Sequence, residues 1–133
     1  QMLLKEGELN DVRILSQESV QEMLKNQNPL TLTPRGLGWE VKKPVSTLNK
    51  TSLECSCGPN FPYNSCGHTG FTGTSLWFDP ASKQIIIALS NRVHLTREKN
   101  MDALKKFRVK LHGLFNLNNT SRKKTNLNLT AVN

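Results

Sequence analysis

Cys66-Gly67-His68-Thr69-Gly70-Phe71-Thr72-Gly73-Thr74-Ser75 stands directly before the apolar runs Leu76-Trp77-Phe78 and Ile85-Ile86-Ile87-Ala88-Leu89. Glycine weakens a strand, so glycines in a strand pattern mark a place where backbone or ligand comes close. His68-Thr69-Gly70 offers an imidazole, a hydroxyl and an unobstructed backbone, the parts that hold a carbonyl or carboxylate substrate. Asp79-Pro80-Ala81-Ser82-Lys83 has the turn residues of a hairpin connector. The run 85–89 is β-branched and too short for a core helix, which predicts a central strand covered on both faces.

Upstream, residues 1–6 read as a helix end stopped by Gly7. Ser16 stands at an N-cap position with Glu18 in the first turn, and Val20, Met23 and Leu24 repeat at helical spacing, predicting a helix from Gln17 to about Lys25. Gly36-Leu37-Gly38-Trp39-Glu40-Val41 alternates as a half-buried strand does, and residues 42–62 read as a long polar loop or a pair of short irregular strands. Downstream, Asn100 can cap a helix whose residues Met101, Leu104, Phe107, Leu111, Leu114 and Phe115 form an apolar stripe directed at the sheet. Lys105, Lys106, Arg108 and Lys110 are expected mostly on its outer side. From Leu117 the Asn- and Lys-rich composition reads as a flexible tail.

The 133 residues fit one domain, or a piece of one, and carry a net charge of +8. Nearly all the excess lies between Arg97 and Lys124, where nine basic residues face two acids. The helix and the tail account for that block without nucleic acid, and base-stacking aromatics are sparse within it. No apolar run approaches the roughly 18 residues a membrane span needs. The chain opens Gln1-Met2-Leu3-Leu4-Lys5, already in a helix-like pattern, and reads as a fragment.

Cys55, Cys57 and Cys66 allow one disulfide with a free thiol, three free thiols, or a metal site. With His68 they make a Cys3His set, the alternative reading being a small structural zinc module; the single-residue spacing within each pair is tighter than zinc sites use.

The ordered series Gly36-Leu37-Gly38-Trp39-Glu40, Gly67-His68-Thr69-Gly70-Phe71-Thr72-Gly73, Phe78-Asp79-Pro80 and Ile87-Ala88-Leu89-Ser90-Asn91-Arg92 resembles the C-terminal part of the serine β-lactamase-like family. That family includes class C β-lactamases, D-alanyl-D-alanine carboxypeptidases and related esterases. The resemblance implies an α+β fold over residues 1–116, an antiparallel sheet with the terminal helix packed on it, and a tail over 117–133. It implies a serine hydrolase working through an acyl-enzyme on a peptide, ester or lactam, needing no cofactor and usually acting outside the cytoplasm. Of the family's motifs, Ser-x-x-Lys, Tyr-x-Asn and Lys/His-Thr-Gly, the third matches His68-Thr69-Gly70. Ser121-Arg122-Lys123-Lys124 lies in the tail and Tyr63-Asn64-Ser65 is out of order, so the nucleophile is expected upstream of Gln1, on the missing N-terminal part of the same domain, and the fragment alone is expected to be inactive. By similarity His68 supplies positive potential or a hydrogen bond, Thr69 donates to a substrate carboxylate and Gly70 lets substrate lie along the strand. The backbone N–H of Phe71 is then one of two oxyanion donors. Histidine in place of lysine leans toward peptidase or esterase members.

Overall fold

The computed structural model describes residues 1–29, 31–44, 55–94 and 101–114. The expected cap at Asn100, Phe115, the tail over 117–133 and much of the polar loop lie outside those residues.

The first segment is a 3-10 turn, Leu3–Lys5, rather than a full helix end. Glu6 and Gly7 follow at φ 52° and 98°, and a Cβ at Gly7 would stand 2.1 Å from the Leu15 carbonyl oxygen, so glycine is required there. A small hairpin, β1 (Glu8–Leu9) and β2 (Val12–Arg13), turns at Asn10 and Asp11. Helix α1 (Gln17–Leu24) then starts where the sequence predicts: Ser16 Oγ accepts from the Ser19 N–H at 3.1 Å.

The main sheet is antiparallel, in the order β3 (Glu40–Val41), β4 (Cys66–Thr69), β5 (Ser75–Asp79), β6 (Gln84–Ala88). Of the strand expected over 36–41 only the last two residues pair, Glu40 with Gly67 and Val41 with Cys66. Gly36 instead turns, and a Cβ there would stand 2.3 Å from the Met23 carbonyl oxygen of α1.

Register assigns the sheet faces. Gly67, Trp77 and Ile86 stand side by side across three strands, and Trp77 and Ile86 pack with Cys57 and Phe61 in one buried cluster. The other face gathers Val41, Cys66 and Phe78 against Leu3, Leu4, Leu24, Trp39 and Leu76, with Trp39 edge-on to Phe78 at 5.2 Å. The sheet thus has a core on each face, and β4 and β5 run between the two.

Two further expectations are corrected. The 85–89 run is not a strand covered on both faces. Among the described residues β6 is the sheet edge, with Ile86 buried at 4 % exposure but Ile87 59 % and Leu89 82 % exposed. The terminal helix, α2 (residues 101–114), is also rotated relative to the predicted stripe. Met101, Phe107 and Leu114 are exposed, while Arg108 and His112, one helical turn apart, are the buried positions at 5 % and 0 % exposure. Arg108 is therefore not on the outer side. Its guanidinium finds carbonyl acceptors in the turn between β4 and β5, which makes its burial tolerable.

Candidate active site

Strand β3 begins at Glu40, opposite Gly67, and runs antiparallel toward Cys66, so past Gly67 the outer edge of β4 has no strand partner among the described residues. His68 and Thr69 lie on that open stretch. His68 sits opposite Leu76 and is exposed; Thr69 sits opposite Ser75 and is half-buried. Neighbours in a strand point to opposite faces, so the imidazole and the hydroxyl flank the edge from two sides.

Gly67 is required by contact rather than conformation. A Cβ there would lie 2.2 Å from Trp77 Cδ2 and 2.5 Å from the Leu76 carbonyl oxygen. The indole lies over β4 at Gly67, a place it can occupy because this position has no side chain.

Residues 70–74 turn the chain from β4 into β5. Gly70 N–H donates to the Thr74 carbonyl at 2.8 Å and Gly73 N–H to the Gly70 carbonyl at 3.1 Å, with Gly73 at φ 104°. Two arginines from distant parts of the chain add donors to the carbonyls of this turn. Arg108 donates from Nη2 to Gly70 O at 3.3 Å and Thr74 O at 2.8 Å, and from Nε to Gly73 O at 3.2 Å. Arg92 donates from Nε to Phe71 O at 2.7 Å, its backbone N–H donates to Thr72 O at 2.8 Å, and its guanidinium lies 4.6 Å from the Phe71 ring centroid.

Burial, and then the nearby Arg92, pull the Arg108 pKa below the ordinary guanidinium value. Below the turn, His112 Nε2 lies 3.4 Å from Ser75 Oγ, and its ring meets Phe61 edge-on at 5.9 Å. Burial lowers the His112 pKa, the Cys57 backbone partly offsets this, and Arg108 adds to the lowering, so the ring is neutral at neutral pH.

His68, Thr69, Gly70 and Phe71 therefore form one continuous edge and turn. The alternative metal set is not assembled. Cys55 and Cys57 form a disulfide, and Cys66 is a buried free thiol on the face opposite the Cys57 cluster. Burial pushes that thiol up to about 11, against a smaller opposing pull from Lys43, with Asp79 adding to the rise. Among the described residues no three of His, Cys, Asp and Glu gather where a metal ion could sit, and no described helix is long and apolar enough to cross a membrane.

Sequence reasoning gave no site role to Arg92, Arg108 or His112. Arg108 and His112 share one helical face at i and i+4, a signal present in the sequence but outnumbered by the apolar side chains at neighbouring angles.

A protein-family model described as Beta-lactamase matches residues 2–110. A putative D-alanyl-D-alanine carboxypeptidase of Escherichia coli O157:H7 is 32 % identical over 94 residues, which is 71 % of this chain and 20 % of that protein. The chain thus spans about one fifth of the length of that relative.

Proposed function

The chain belongs to the beta-lactamase family, and from that premise we propose that it is the lobe of a serine hydrolase that supplies the His68-Thr69-Gly70 wall of an acyl-transfer site. The nucleophilic hydroxyl and its base stand on another part of the same domain. The observation that carries this reading is the edge of β4 past Gly67, which no described strand covers and which leads into a turn held by two arginines.

A substrate carbonyl lying along that edge would be attacked by the hydroxyl, and its oxygen would become an oxyanion. The N–H of Phe71 is assigned as one donor to that oxygen. Removing one such donor typically costs about two to three orders of magnitude in rate. Thr69 Oγ1 is assigned to a substrate carboxylate, His68 to a hydrogen bond or positive potential beside the nucleophile, and Gly70 to close approach. The substrate is a small peptide, ester or lactam handled outside the cytoplasm.

The remainder of the domain is proposed to pack along β6. Its outer edge has no described partner, and Ile85 and Ile87 on it, Leu89 just past it, and Phe107 and Leu114 on α2 are exposed apolar side chains.

The test uses a chromogenic ester and a cephalosporin. The 133-residue chain alone is expected to turn over neither, and saturable hydrolysis by the pure chain overturns the assignment of roles. In a full-length protein carrying a Ser-x-x-Lys segment ahead of this chain, Thr69→Val is expected to abolish turnover with the fold retained. Unchanged turnover in that variant removes Thr69 from the site.

A further inference from the structure

We infer that Arg108 is a positioning residue that orients and polarises the Gly70–Phe71 peptide unit from behind the sheet, making the Phe71 N–H a stronger donor toward an anionic oxygen at the β4 edge. What that N–H would meet rests on the acyl-transfer reading above; the control of the peptide unit by Arg108 does not.

A peptide unit is planar and trans, so its C=O and N–H point in opposite directions. Arg108 Nη2 takes the Gly70 oxygen at 3.3 Å, and the N–H of that same unit belongs to Phe71. The guanidinium therefore fixes which way the Phe71 N–H points, directly away from itself. A positive charge on the oxygen side also draws electron density from the nitrogen side, which strengthens the N–H as a donor. Arg92 does the same for the next unit: it takes Phe71 O at 2.7 Å, and that unit ends in the Thr72 N–H. Two cations thus act on two consecutive peptide units from their oxygen sides.

Closing the turn does not require them. The bonds from Gly70 to Thr74 and from Gly73 to Gly70 already do so. Holding two guanidiniums near one turn instead costs mutual repulsion, and burying Arg108 to 5 % exposure costs desolvation. Arginine suits the task where lysine does not, because its rigid fork reaches Gly70, Gly73 and Thr74 at once.

The experiment assigns the backbone amide signals of the 133-residue chain by nuclear magnetic resonance, in the wild type, Arg108→Gln and Arg92→Gln. Arg108→Gln is expected to move the amide protons of Phe71, Thr74 and Ser75 upfield and leave Thr72 in place, since these follow the three carbonyls that Arg108 holds. Arg92→Gln is expected to move Thr72 and leave Phe71. A Phe71 amide unmoved in folded Arg108→Gln overturns the inference, and so does movement of all four amides together in both variants, which is what simple loosening of the turn gives. Should Arg108→Gln not fold, Arg108→Lys takes its place: lysine cannot reach all three carbonyls, so it must move at least one of Phe71, Thr74 and Ser75 and spare Thr72. In the full-length hydrolase the same Arg108→Gln change is expected to lower kcat about tenfold at unchanged KM, less than the loss of a whole oxyanion donor. A full-length protein that forms no acyl-enzyme sinks the functional reading, while the crossed amide pattern still decides the role of Arg108.

Discussion

Replacing Gly67 by alanine tests how closely the sheet is packed behind the proposed wall. The added Cβ would stand 2.2 and 2.5 Å from two atoms of the Trp77 indole and 2.5 Å from the Leu76 carbonyl oxygen. Ordinary carbon contacts begin near 3.5 Å, so each overlap exceeds or approaches an ångström. Neither neighbour can yield. The indole is fully buried, pressed between Phe61 and the β4 strand, and the carbonyl belongs to the strand pair itself. Overpacking in a tight core costs about 1–3 kcal/mol, and contact with backbone puts this case at about 3. With a urea slope of about 2 kcal/mol per molar, the unfolding midpoint should fall by about 1.5 M. Gly70→Ala is the internal control. Its Cβ meets the Thr74 hydroxyl at 2.2 Å, a side-chain end that can rotate away for about 1 kcal/mol. Urea unfolding followed by tryptophan fluorescence reads both. A Gly67→Ala midpoint equal to that of wild type, or a Gly70→Ala shift larger than it, refutes the packing argument.

Acid should unfold the chain partly through His112. Its folded pKa lies below the ordinary value of 6.5, so the stability it supplies is complete above about pH 6.5 and drains away as pH falls toward the folded value. His112→Phe should flatten the stability profile between pH 7 and 5, and an unchanged slope in that variant removes His112 as the cause. Cys66, with its pKa pushed up to about 11, is about one part in a thousand thiolate at pH 8 and is buried besides, so an aromatic disulfide reagent should find no reactive Cys66 until the chain is unfolded. Rapid native labelling of Cys66 contradicts its placement. The Cys55–Cys57 disulfide closes a loop of only three residues, so its chain-entropy contribution is about 1.5 kcal/mol. Mild reduction should therefore lower the urea midpoint by less than about 1 M, and global unfolding on reduction would show that the bridge does more than this.

Local chemistry made several elements legible in advance. Ser16 caps α1 because a short side-chain oxygen at that position has nowhere better to bond, and Gly7 ends the first turn because its neighbours leave no room for a Cβ. The β5–β6 hairpin and the edge carrying His68, Thr69 and Gly70 follow from alternation and turn residues that act within a few positions. The strand expected over 36–41 shrank to Glu40–Val41 because Gly36 is drawn against α1, a contact with a residue 13 positions earlier.

The covalent order alone therefore determined where α1 begins, the β5–β6 hairpin, and that a glycine-spaced His-Thr segment would be a strand. Tertiary structure alone decided what stands behind that edge. Arg108 lies 34 to 38 residues from the carbonyls it holds, and a helix chooses its buried face by the acceptors it meets as well as by its apolar count. Apolar spacing pointed Phe107 and Leu114 inward; the carbonyls of the turn receive Arg108 and the Ser75 hydroxyl lies beside His112, and these two residues are the buried ones instead. Hydrogen-bonding demand of that kind arises between distant segments, and no window of sequence contains both of them.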